Sequence, residues 1–224
     1  MNRPSSNGSS VIKEPRVIKI FGALVVFGLA ASFAPGYARA SELNLGTMTC
    51  ESFEADILNS TEVNQHEDAL DVVMWIFGYA VAKSGAKVMY GDALQQFGNA
   101  LDTQCKENPA KPVLDVLGPI KFVDSNPMDL TQLGCSTYEE RHVEMTKTDA
   151  QGANTLMMWI YGFSVGKAGG HALDSALLPV FADKLAAECS ARPYSSLYAA
   201  VSNVQLDRSK AVKPRTTKPT TPKP

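Results

Sequence analysis

Apolar residues recur along this chain at helical rather than strand spacing. Leu94, Phe97, Leu101 and Cys105 follow one another at intervals of three, four and four, which puts them on one stripe of a helix and turns Cys105 inward. Upstream, the stretch through Trp75 and Val81 is too densely apolar for a single face, so a central helix buried on most sides is expected. With about a dozen apolar positions it is too short to cross a bilayer. Nothing alternates like a strand over a useful length, and the expected class is all-α.

The pattern is written twice. MWIFGYAVAKSG at Met74 to Gly85 returns as MWIYGFSVGKAG at Met158 to Gly169, 84 positions on, and the same shift lays Leu94, Phe97, Leu101 and Cys105 on Leu178, Phe181, Leu185 and Cys189. Repetition at a fixed offset marks a duplicated unit. Cys50 and Cys135 differ by 85, so one residue has been gained or lost before the tryptophan, and a loop between two helices is expected there. Asn64-Gln65-His66-Glu67 and Thr148-Asp149-Ala150-Gln151 each read as a capping box that opens the central helix 11 residues before its tryptophan. Asp92 and Asp174 can cap the next helix, and Pro179 falls in its first turn, where a missing N–H does little harm. A fourth helix is expected after Pro112 and Pro193, with Val113 and Leu117 matched by Leu197 and Val201. Gly166 and Gly170 replace Ala82 and Ala86, so the second central helix is expected to end earlier or fray more readily.

Four segments follow. In residues 1–40 a basic lead-in of Arg3, Lys13, Arg16 and Lys19 precedes the apolar run Ile20 to Phe33 and the small residues of Ala38-Arg39-Ala40, the signature of a cleaved signal peptide. Residues 41–122 and 123–206 are the two units, and 207–224 is a basic Pro/Thr/Lys tail expected to be disordered. Between Ser41 and Leu206 stand 21 acidic residues against 10 basic ones, a net of about −11 that the whole-chain charge of −2 conceals.

Export makes paired thiols the expected state of the four cysteines. Three pairings are possible; if each copy descends from one self-sufficient ancestor, the bonds are Cys50 to Cys105 and Cys135 to Cys189. The cysteines are isolated, without the close pairs that zinc or thiol exchange requires. His66, His142 and His171 occupy non-equivalent places and are expected at the surface. The run Gly166-Lys167-Ala168-Gly169-Gly170 lacks Walker spacing, and no local catalytic signature appears. No catalysis, cofactor, metal or nucleic-acid partner is expected. Trp75, Phe77, Tyr79 and Phe97, with Trp159, Tyr161, Phe163 and Phe181, are the candidate core or client-binding residues. Gly78 and Gly162 would let another helix approach closely, and Lys83 and Lys167 would complement a helix C-terminus.

Met48-Thr49-Cys50-Glu51-Ser52-Phe53, the Trp-centred helix with its GY or GF, and Cys105-Lys106-Glu107-Asn108-Pro109 together resemble the HdeA/HdeB family of periplasmic acid-stress chaperones. The second copy resembles it through Cys135-Ser136-Thr137-Tyr138, Trp159 and Cys189-Ser190-Ala191-Arg192-Pro193. The resemblance implies small all-α units with one disulfide each. It also implies a holdase that loosens in acid, exposes apolar surface and holds unfolding periplasmic clients without ATP. Two tethered units would pack on each other as an internal pseudo-dimer, which puts simple dissociation in doubt as the activating step. After signal cleavage no stable membrane insertion is expected, and self-association is left open. Two rival readings remain: a constitutive envelope module binding one partner at neutral pH, and a small hydrolase or lysozyme-inhibitor-like factor.

Overall fold

Two long helices with interlocking glycines organise the fold. The computed structural model describes residues 42–59, 65–91, 93–118, 121 and 127–206, with the side chains of 65–68 left aside; the segments read as signal peptide and tail, the cap at Asn64, and Asp92 lie outside them. In chain order the elements are β1 (Leu43–Asn44), α1 (Cys50–Phe53), a π-helical turn (Glu54–Leu58), α2 (Gln65–Lys83), β2 (Val88–Met89), α3 (Leu94–Glu107) and a 3₁₀ turn (Val113–Val116). Then come β3 (Met128–Asp129), α4 (Cys135–Thr148), α5 (Ala150–Lys167), β4 (Ala172–Leu173), α6 (Leu177–Ala191) and α7 (Leu197–Asn203). The fold is all-α, its strands two residues long. No helix among the described residues is long and apolar enough to cross a membrane.

α2 packs along α5 more extensively than any other pair of elements touch. The approach needs glycine. A Cβ on Gly78 would fall 2.0 Å from the carbonyl oxygen of Trp159, and one on Gly162 would fall 2.0 Å from that of Trp75. Neither neighbour could rotate aside, because both are backbone. The strands are exchanged in the same reciprocal way: β1 pairs antiparallel with β4, and β2 with β3. Each half therefore supplies a strand to the other. Around this centre, Cys50 bonds to Cys105 and ties α1 to α3, while Cys135 bonds to Cys189 and ties α4 to α6. Buried residues from both halves form one continuous core.

Several local expectations are corrected. The loop expected between the first two helices is absent from the second half, where Asp149 alone joins α4 to α5; in the first half, which is one residue longer, residues 60–64 lie outside those described. In the first half the chain switches to a π turn at Glu54–Leu58, closed by Asn59 N–H donating to Glu54 O at 2.9 Å, where α4 runs on without interruption.

The cap of α5 is Asp149, one residue beyond the position expected. Its carboxylate accepts from Gly152 N–H at 2.9 Å, while Thr148 is still the last residue of α4 and donates its hydroxyl to Glu144 O. Asp149→Ala is expected to cost about 1 kcal/mol, read as a lower urea midpoint, with Asp149→Asn retaining most of the stability. Asp174 does not cap α6 directly; it accepts from Ala176 N–H in the turn before it, and Pro179 does sit in the first helical turn.

The fourth helix forms only in the second half. Ser196 accepts from Ala199 N–H to cap α7, whereas the equivalent Pro112 has no side-chain acceptor and its segment closes as a single 3₁₀ turn. Nor does α5 end early: α2 and α5 stop at the equivalent Lys83 and Lys167. Gly166 is needed for packing, since a Cβ there would lie 2.9 Å from the carbonyl oxygen of Tyr79.

Candidate functional site

All eight aromatic candidates are inside. Trp75, Phe77, Tyr79, Phe97, Trp159, Tyr161, Phe163 and Phe181 are each no more than 4% exposed. Helical spacing of four stacks Trp75 on Tyr79 and Trp159 on Phe163, each pair with centroids 5.5 Å apart and planes at 16°. Phe77 then joins the halves: it stacks on Phe97 at 4.7 Å and meets Trp159 edge-on at 6.4 Å. Tyr161 packs against Phe181 in the corresponding place at 5.3 Å. The result is an aromatic seam along α2 and α5, closed to solvent.

The seam holds a built-in penalty. The indole Nε1 of both Trp75 and Trp159 is buried without a hydrogen-bond partner. A buried unsatisfied donor costs about 1–3 kcal/mol, recovered once water reaches it. Opening the seam therefore relieves two such donors while exposing the largest rings of the core. The phenol of Tyr138 is likewise buried and unpaired, and burial pushes its pKa up.

Among the described residues, polar contacts across the halves include groups that titrate. Asn154 on α5 donates to the Asp71 carboxylate on α2 at 2.6 Å. The Tyr79 hydroxyl lies 3.4 Å from His171 Nδ1, and His171 O accepts from Gly46 N–H at 3.1 Å beside the β1–β4 pair. At the β2–β3 pair the Thr131 hydroxyl and N–H both donate to Asp129, and these hydrogen bonds hold its carboxyl below the usual range. A depressed carboxyl contributes stability above its unfolded pKa, near 4, and loses it as the pH falls through the lower folded value. Protonating Asp129 thus loosens the turn after β3 and removes the attraction of its carboxylate to Lys87 of the other half. Protonating Asp71 would likewise remove the charge that strengthens its bond to Asn154.

Sequence reasoning named rings that the structure buries but missed Asp71, Asn154 and Asp129. The repeat gave no signal for them, because their counterparts at the same shift differ in type: Thr155 stands opposite Asp71, and Leu70 opposite Asn154. Of the histidines, His171 is exposed beside Tyr79, His142 is half-buried against Tyr138, and the side chain of His66 lies outside the described residues. Among the described residues no three metal-ligating side chains gather.

Residues 17–115 match the model of the HdeA/HdeB family. The match takes in the first tryptophan, the first cysteine pair and the residues between, and covers less than half of the chain. No curated protein and no solved structure matches.

Proposed function

We propose that this chain is a periplasmic, ATP-independent holdase of the HdeA/HdeB type, with two copies of the unit fused in one exported polypeptide and packed as an internal pseudo-dimer. The observation that carries this reading is the aromatic seam, whose eight rings are shared between α2, α5 and the helices beside them and buried. Its clients are unfolding periplasmic proteins, and it works by binding, with no catalytic step or cofactor. The family match over the first half supports the same assignment.

Acid supplies the trigger. Between Ser41 and Leu206 the net charge moves from about −11 to about +13 when every carboxyl is protonated and the three histidines are charged. Self-repulsion then acts on a structure that has lost the charges of Asp71 and Asp129 at its internal junctions. Because the halves are tethered, the step is an opening of the α2–α5 seam rather than loss of a partner into solution.

The oxidised chain is expected to suppress light scattering from an unrelated aggregating protein below about pH 3, with reversible binding of an apolar dye, and to do neither at pH 7. No suppression at acid pH from a correctly disulfide-bonded sample would remove this reading.

A further inference from the structure

The two halves differ in the segment after their matched prolines, an α-helix carrying Tyr198 in one and a 3₁₀ turn carrying Leu114 in the other. At the shift of 84, Tyr198 corresponds to Leu114, Lys167 to Lys83, Lys87 to His171 and Phe163 to Tyr79. In the second half the Tyr198 ring lies under two ammonium groups, with Lys167 Nζ 3.8 Å and Lys87 Nζ 5.0 Å from its centroid, and Phe163 meets it edge-on at 6.3 Å. Lys83, Tyr79 and Leu114 of the first half, with His171 of the second, line a cleft of about 710 Å³. A leucine stands where the ring would be.

We propose that this cleft binds an aromatic side chain, best a tyrosyl ring, of another polypeptide while the protein is closed at neutral pH. The chain itself displays the complement, because Tyr198 is held by Lys167, Lys87 and Phe163, whose counterparts at the shift of 84 are the cleft residues Lys83, His171 and Tyr79. Lys83 forms no ion pair among the described residues and is placed to face the ring as Lys167 does, an attraction that strengthens as water is excluded. Tyr79 and His171 offer polar atoms at the cleft wall for a phenol hydroxyl. Asp115 and Glu42 also line the cleft, so a phosphate or carboxylate ligand would meet like charge where a neutral ring does not. The volume lies within the range of about 300–1,000 Å³ usual for small-ligand sites, enough for a ring and its flanking backbone.

This site does not require acid opening, and its test is separate from the holdase assay. The oxidised chain at pH 7 would be titrated with the capped tripeptide acetyl-Gly-Tyr-Gly-amide and followed by amide NMR. Saturable shifts at Tyr79, Lys83 and His171 are expected, with the matching leucine peptide at least tenfold weaker. Leu114→Tyr should fill the cleft from within, weakening the probe at least tenfold without lowering the unfolding midpoint; Lys83→Ala should weaken it about fivefold. Absence of saturable shifts, equal binding of the leucine peptide, or unchanged affinity in Leu114→Tyr would overturn the proposal. Should Leu114→Tyr fail to fold, unchanged affinity in Lys83→Ala would overturn it alone.

Discussion

The double substitution Cys50→Ser, Cys105→Ser is expected to lower stability at pH 7 by about 4 kcal/mol, the chain-entropy value for a closed loop of this length. The two bonds span sequence separations of 55 and 54, so Cys135→Ser, Cys189→Ser should cost about as much. Small domains are stable by roughly 5–15 kcal/mol in total, and either loss removes a large part of that. Because the buried residues form one core across both halves, the loss should not stay where it is made. Urea unfolding of either variant is expected to remain one transition at a lower midpoint. Two separated transitions would show that the halves fold independently and would count against a shared seam. The bonds also bear on function, since neither disulfide crosses the α2–α5 contact. They can hold α1 to α3 and α4 to α6 if that contact opens, so under the proposed function acid would expose rings from a chain that stays partly folded. Reduction is accordingly expected to abolish the return to a dye-free state on neutralisation.

How far could this have been read without a structure? The stripe from Leu94 to Cys105 and the dense run around Trp75 specified helix type and burial directly, because core-facing positions must repeat with the helical period. The likeness of the two stretches around Trp75 and Trp159 added what one stretch could not, namely a choice among cysteine pairings and a reason to expect the glycines at a close helix contact. It was least informative where the copies diverge. The single-residue difference suggested a loop between two helices; in the second half Asp149 alone joins them, and in the first half residues 60–64 lie outside those described. The shift from Thr148 to Asp149 as cap depends on how far α4 continues, which is decided by packing rather than by the local dipeptide. The strand exchange left no trace at all, since two-residue strands carry no periodicity. Tyr198 shows the same limit at the candidate cleft: its role emerges only when Lys87, distant in sequence, is seen above its ring.

Gly78→Ala tests whether the seam is also the part that opens. One methyl group there would collide with the Trp159 carbonyl, so α2 and α5 must separate, at an expected cost of about 3 kcal/mol. Gly162→Ala should cost a similar amount through the Trp75 carbonyl. The double variant should fall short of the sum, because one separation relieves both collisions. Gly98→Ala on α3 is the control: a Cβ there meets nothing within 4 Å, and the higher helix propensity of alanine should stabilise by about 1 kcal/mol. If acid activation is opening of the α2–α5 contact, Gly78→Ala should bind apolar dye and suppress client aggregation at a higher pH than the parent. Gly98→Ala, which leaves that contact intact, should move the onset little. A Gly78→Ala protein that loses stability in urea but activates at the parent's pH would place the opening elsewhere in the fold, and the exchanged strand pairs with Asp129 at one of them would be the next candidates.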